Sequence, residues 1–97
     1  QEENASAEVG YSLGRAYCNQ GIMTEALGLV LDFGFRRLQL NRIEAQHEVD
    51  NPASGAVMRK AGMTYEGTLR QRLCNKGKFV DVALYAALRS EYTGKKP

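Results

Sequence analysis

From Met23 to Leu38 the apolar residues Met23, Ala26, Leu27, Val30, Leu31, Phe35 and Leu38 recur three and four positions apart. That spacing gathers side chains on one face of a helix. Leu29 and Phe33 widen the face. A helix this apolar is expected to pack on a sheet, and the flanking sequence supplies strands. Before it, Val9, Tyr11 and Leu13 alternate with Glu8, Gly10 and Ser12, so Ala7 to Leu13 reads as a strand with one buried face, stopped by Gly14. After it, Ile43, Ala45, His47 and Val49 alternate with Arg42, Glu44, Gln46 and Glu48. A strand–helix–strand unit follows, with a right-handed crossover if the strands are parallel neighbours.

Residues 14 to 22 lack a period, carry two glycines and form the loop that feeds the helix. Thr24 and Glu25 bring acceptor oxygens to the donor-rich first turn, and Arg36 and Arg37 suit the carbonyl end. First-turn N–H groups have no acceptor within the helix, so the stretch from Tyr17 to Ala26 is a candidate anion site.

Downstream, Asp50 and Asn51 stop the second strand. Asn51-Pro52 starts another helix, with Asn51 as the cap and Pro52 preset for the first helical position. Ala53, Ala56, Val57 and Ala61 make its buried stripe, and Gly62 suits the left-handed residue that ends it. Met63 to Cys74 and Phe79 to Leu88 read as the strands of a hairpin around Asn75-Lys76-Gly77-Lys78, with a bulge at Gly67 and an interruption at Asp81. Residues 1–6 and 90–97 are expected to be loose. With no internal repeat and no interior linker, the chain reads as one domain of α/β class with a mixed sheet.

Composition narrows the function. The 97 residues carry 13 basic and 11 acidic side chains, net +2, with no basic block outside Lys95-Lys96, so a nucleic-acid-binding face is not indicated. Cys18 and Cys74 are far apart, which argues against a zinc site and a disulfide-built fold; a reducing cytoplasm is the expected setting. No signal peptide, long apolar run or lipidation motif is visible, so a soluble protein is expected. The chain starts at Gln1 without an initiator methionine, consistent with a processed, engineered or partial chain.

Five pieces, in order, carry a resemblance: Glu8-Val9-Gly10-Tyr11-Ser12-Leu13; Gln20-Gly21-Ile22-Met23-Thr24-Glu25-Ala26; Asn41-Arg42-Ile43-Glu44-Ala45; Asn51-Pro52-Ala53-Ser54; and Lys60-Ala61-Gly62-Met63 with Glu66-Gly67. Across residues 7 to 89 the sequence resembles the C-terminal half of the GNAT N-acetyltransferases, most closely their RimJ/RimL-like branch, which acetylates ribosomal-protein N-termini. The resemblance implies a truncated GNAT fold: strand, loop, helix, strand, helix, then a C-terminal β-hairpin.

It also implies site residues. The loop Cys18, Asn19, Gln20, Gly21, Ile22 and Met23, running into Thr24, would wrap the pyrophosphate of acetyl-CoA with backbone N–H groups, Gly21 allowing close approach. Backbone N–H groups near Ser12 and Leu13 would face the acetyl carbonyl, where the first strand splays from the second. Asn51 would bond the pantetheine arm, and Ser54 could protonate the departing thiolate. Glu44, Glu48 and Glu66 are base candidates by position alone, and of these Glu48 is taken with Ser54 as the catalytic pair. No metal is implied. The sequence departs from the family at Cys18, Asn19 and Met23, and at Met58, where many members carry a tyrosine acid.

The bland readings stand beside these. Asn51-Pro52 works as a cap without a ligand, Ser54 as an ordinary first-turn serine, and the three glutamates as solvated carboxylates. His47, on the apolar side of its strand, is expected to be packed or hydrogen-bonded more than catalytic. The expected function is acetyl transfer from acetyl-CoA to a primary amine, such as a peptide N-terminus or small amine. The alternative is a truncated, inactive acetyl-CoA-binding or self-associating module. The family's N-terminal strands would be missing, leaving the first strand as an edge, so a homo-oligomer, such as a dimer, is expected to form there.

Overall fold

The computed structural model describes residues 6–9 and 20–92. The chain runs β1 (Ser6–Val9), α1 (Gln20–Arg36), β2 (Arg42–Glu48), α2 (Pro52–Lys60), β3 (Thr64–Asn75) and β4 (Lys78–Leu88), followed by a 3-10 turn over Arg89–Glu91. One mixed sheet has the strand order β1-β2-β4-β3. β1 is parallel to β2, with Ser6 opposite Arg42 and Val9 opposite Ala45, and β4 is antiparallel to both β2 and β3. This is the expected α/β arrangement with its C-terminal hairpin. Residues 10 to 13 of the expected first strand and the loop through Asn19 lie outside the described residues.

Both helices pack on one face of the sheet. Leu27, Leu31 and Phe35 of α1 meet Val57 and Met58 of α2 over Ile43 and Ala45 of β2 and Ala83, Tyr85 and Ala87 of β4. Gly34 sets the approach: a Cβ there would lie 2.6 Å from Cδ1 of Ile43. The expected apolar face of α1 needs correction. Ala26 and Val30 are exposed, and Leu29, Phe33 and Leu38 stand more than half exposed. The helix seats on the single row 27-31-35, spaced by four, and the neighbouring apolar row points away from the sheet. Helical period identifies both rows but not which one meets the sheet.

The helix ends also differ from expectation. α1 opens at Gln20, ahead of Thr24 and Glu25, and its first turn holds no acidic residue. Gln39, at φ 58°, turns the chain away, and the Leu40 amide donates to the Gly34 carbonyl at 3.0 Å. Asn51 occupies the cap position of α2, but its side chain makes no cap hydrogen bond. Its φ of −118° and ψ of 74° depart from the extended geometry that usually brings a cap oxygen to the helix amides. Pro52 is the first helical residue, as expected. Gly62, at φ 102°, closes α2 as expected, with the Met63 amide donating to the Met58 carbonyl and Gly62 to Arg59, both at 3.0 Å. The buried residues of α2 are Ser54, Gly55, Val57 and Met58; Ala53, Ala56 and Ala61 sit half-buried beside them.

The hairpin turns through Lys76 and Gly77 at φ 55° and 76°, the pair of positive values that a two-residue turn matched to strand twist requires. Register slips at Gly67, as expected for a bulge, and again between Leu69 and Leu73. In the second irregularity Gln71 takes φ 51° and its amide donates to Asp81 Oδ1 at 2.8 Å. Asp81, the polar break in β4, is thus the acceptor that satisfies the irregular partner strand. The expected loose tail does not begin at Ser90. Arg89–Glu91 form their turn, and Tyr92 lays its ring 4.9 Å from that of Phe35.

Two outcomes test this packing. Leu31→Ala empties a site with no exposure and should cost about 2–5 kcal/mol. Val49→Ala, at a position 46% exposed, should change stability by less than about 0.5 kcal/mol. Urea denaturation of both variants measures the difference. Burial, with a smaller contribution from Asp32, raises the Tyr92 phenol above its ordinary value of 10.0. The neutral phenol therefore stabilises the fold below that value, and this contribution is lost as pH rises through the raised one. In an ultraviolet titration of the folded protein, Tyr92→Phe should remove a phenolate signal that appears above pH 10.0.

Candidate functional site

β2 delivers the chain to the start of α2, and the junction is held by backbone bonds. The Asn51 amide donates to the Glu48 carbonyl at 2.9 Å, the Ser54 amide to the Asn51 carbonyl at 3.1 Å, and the Val49 amide to the Asp81 carbonyl at 3.1 Å. Pro52 fixes the first turn, which places Ser54 inward. Ser54 is 1% exposed, and its hydroxyl is buried without a hydrogen-bond partner. A buried hydroxyl left unpaired costs about 1–3 kcal/mol, so this orphan marks a place where a polar group would be accepted. Among the described residues one other side-chain oxygen is in this state, Thr24 Oγ1 on α1. Both orphans are residues that the sequence singles out for the cofactor.

The expected loop residues are placed as follows. Gln20, Gly21, Ile22 and Met23 are not loop; they form the opening turn of α1, with Thr24 in its second turn. A helix can start this early because Gln20 and Ile22 tolerate helical geometry and Gly21 costs only about 1 kcal/mol there. Their N–H groups are therefore the donors of a helix start, the arrangement suited to an anion. Among the described residues, a Cβ added at Gly21 would meet nothing within 4 Å. Ser12, Leu13, Cys18 and Asn19 lie outside the described residues. Thr24, Glu25, Gly28, Leu29 and Asp32 of α1, with Lys60 at the end of α2, Ala61 just beyond it and Tyr92, wall a cavity of about 240 Å³ on the seam between the helices.

The carboxylates separate by role. Glu44 and Glu66 both hold Arg42. Its Nε donates to Glu44 at 2.8 Å, and its two terminal nitrogens donate to Glu66 at 3.2 and 2.7 Å. That fork ties β2 to β3 across β4, and hydrogen bonding to Arg42 holds the Glu66 carboxyl below the usual carboxylate range. Glu48 is engaged differently, accepting from Asn75 Nδ2 at 2.8 Å. Ser54 and Glu48 share no hydrogen bond.

His47 is hydrogen-bonded and packed, as expected. Its Nδ1 lies 2.6 Å from the Glu48 carbonyl, which can only accept, so Nδ1 carries the proton. The ring lies 5.6 Å from that of Tyr85, whose hydroxyl accepts from Arg59 Nη1 at 2.9 Å. Gly55 makes this possible: a Cβ there would sit 3.0 Å from His47 Nε2 and 3.2 Å from both Arg59 Nη1 and the Tyr85 hydroxyl. Sequence reasoning missed Gly55, Arg59 and Tyr85 as neighbours of the site. A glycine within a helical stripe was the available signal, because it weakens a helix unless something packs closely against it.

Comparisons with known proteins identify the family. The model of the acetyltransferase (GNAT) domain matches residues 1–64. An uncharacterized N-acetyltransferase, p20 of Bacillus licheniformis, is 40% identical over 96% of this chain and 52% of its own length. The structure of RimL, a ribosomal L7/L12 alpha-N-protein acetyltransferase in complex with coenzyme A, is 34% identical with a TM-score of 0.77, covering 91% of this chain and 50% of that one. The spermidine N-acetyltransferase of Vibrio cholerae, in complex with coenzyme A and spermine, is 25% identical with a TM-score of 0.81, covering 95% and 54%. The chain thus spans about half the length of the relatives it matches. A family model matching residues 1–64, a relative 40% identical over nearly the whole chain, and a shared fold together mean that this chain belongs to the acetyltransferase (GNAT) domain family.

Proposed function

We propose that the chain binds acetyl-CoA and transfers its acetyl group to a primary amine. The buried, unpartnered hydroxyl of Ser54 carries this reading. It sits on the first turn of α2, one turn beyond Asn51, whose side chain is not spent on a cap. In the proposed arrangement the start of α1 receives the pyrophosphate on backbone N–H groups, with Gly21 leaving room for it. Asn51 bonds the pantetheine arm. The cavity between the helices adds the Lys60 ammonium as a partner for a phosphorylated ligand.

The reaction needs no covalent enzyme intermediate. The neutral amine attacks the thioester carbonyl carbon, and the carbon–sulfur bond breaks as the oxyanion collapses. The amine loses a proton to a base, for which Glu48 is the proposed group; the thiolate takes a proton from Ser54 as Ser54 takes one from water, and Glu48 returns its proton to solvent, so both groups end as they began. The products are an amide and the free thiol. Bound relatives in this family include a ribosomal-protein acetyltransferase and a spermidine acetyltransferase, so the acceptor class proposed is a peptide α-amine or a polyamine. Because the chain spans half its relatives' length, binding without turnover is the second reading.

Calorimetric titration with acetyl-CoA, combined with thiol release over peptides and polyamines, separates the two: heat without thiol release supports the module, and no heat overturns both. Gly21→Val should leave the melting temperature unchanged, since among the described residues the added side chain meets no neighbour within 4 Å, and should weaken acetyl-CoA binding by about tenfold or more. Undiminished affinity would refute the cradle. Where turnover is detected, Ser54→Ala should lower kcat by about a hundredfold with little change in KM, the pattern of a lost proton donor.

A further inference from the structure

The C-terminal hairpin carries unpaired positive charge at its tip. Between Glu66 and Asp81 the chain holds Arg70, Arg72, Lys76 and Lys78 and no carboxylate. All four residues are exposed. The salt bridges among the described residues are those of Arg36 with Asp32 and of Arg42 with Glu44 and Glu66, so none reaches these cations. Asp81 has Oδ1 taken by the Gln71 amide. The turn itself holds charge: Lys76 takes φ 55°, at a position ordinarily filled by Asn, Asp or Gly, which tolerate positive φ.

The fold brings this charge to the end of the sheet that carries the candidate site. β4 is antiparallel to β2, and β2 ends at Glu48, opposite Val82. Lys78 to Val80, paired with Leu73 to Asn75, therefore project past the end of β2, and the chain leaving that same end runs through Asn51 to Ser54. Side chains alternate along a strand, so Lys78 and Val80 share the face of Val82 and hence of Glu48. Asn75, the cross-strand partner of Lys78, completes the link by donating to Glu48 Oε2 at 2.8 Å.

Resting on the acetyl-transfer reading, we propose that this hairpin selects the acceptor: a peptide whose free α-amine is followed by acidic residues, and not a polyamine. At physiological salt, charges within about 8 Å of one another still interact, so the tip attracts carboxylates and repels a polyamine's own cations. With the α-amine at Glu48, the acidic residues that follow it meet Lys78, Lys76 and the two arginines, whose planar guanidinium groups bind a carboxylate through paired N–H bonds. A phosphate backbone needs a longer basic track than one hairpin supplies in a chain of net charge +2.

Fluorescence anisotropy on the full chain, with and without coenzyme A, tests this with three peptides of one length, labelled at the C-terminus, in which a free α-amine is followed by glutamates, serines or lysines. The glutamate peptide should bind about tenfold or more tighter than the serine peptide, and the lysine peptide more weakly than both. Raised salt should erase the ranking, and spermidine should give no binding heat. Arg72→Glu combined with Lys78→Glu should invert the ranking and leave the calorimetric affinity for acetyl-CoA unchanged; no loss of folding can imitate an inversion. Equal binding of the three peptides overturns the proposal, as does binding heat for spermidine or a glutamate-peptide affinity indifferent to the charge reversal. An acetyl-CoA affinity that falls in step with the peptide affinity would assign the cations to the cofactor's phosphates and overturn it too. So would a single-stranded oligonucleotide that binds tighter than the glutamate peptide. Acetyl-CoA heat without the ranking overturns this inference alone, whereas the ranking without acetyl-CoA heat overturns acetyl transfer and leaves the hairpin as an acidic-peptide site.

Discussion

The contact that organises this protein is the seating of one row of α1, Leu27, Leu31 and Phe35, on the centre of the sheet at β2 and β4. Gly34 brings the helix down until no space for a Cβ remains above Ile43. Burying such side chains contributes roughly 1.5–3 kcal/mol each, which is large against the stability of so small a domain. Once α1 is seated, its first turn can lie only at the end of the sheet where β2 hands over to α2. The helix start and the Ser54 hydroxyl are therefore both consequences of one packing contact.

A second constraint fixes the other wall. Gly55 lets α2 approach β4 closely enough for His47, Arg59 and Tyr85 to interlock beneath it. The Arg59 hydrogen bond satisfies the Tyr85 hydroxyl, and the Glu48 carbonyl satisfies Nδ1 of His47. Ser54, one residue away, is left without such a partner. The unpaired hydroxyl is the contact that the proposed cofactor would fill. Stability and the proposed ligand binding draw on the same few residues of α2.

On the opposite face of the sheet, Arg42 binds Glu44 and Glu66, and among the described residues no helix covers them. These groups are partly exposed, so the pairs contribute at most about 1 kcal/mol each. Their effect is positional. The forked contact with Glu66 falls at the Gly67 bulge, where β3 loses register with β4, and it pins the irregular strand to the sheet. Two carboxylates that position alone offered as bases are in this way committed to structure.

Local chemistry determined much of this protein. The alternation that makes β2, the period that makes α1, Pro52 at the first position of α2, Gly62 at its end, and the Lys76-Gly77 turn all act over a few residues, so they are legible in the chain. The succession of short motifs also points to the family. What required the tertiary structure is every choice between local equivalents. Leu27 and Leu29 are alike in sequence, yet one is 2% and the other 62% exposed, because only one row of a helix can meet a flat sheet. Thr24 and Glu25 had the chemistry of a helix start, but the helix opens at Gln20, where backbone geometry and not side-chain type decides. Asn51 had the chemistry of a cap, and its backbone angles withhold it. Glu44, Glu48 and Glu66 are chemically equal, and the strand register alone gives two of them to Arg42 and one to Asn75. Partners separated by tens of residues are set by packing, and no window of sequence contains them.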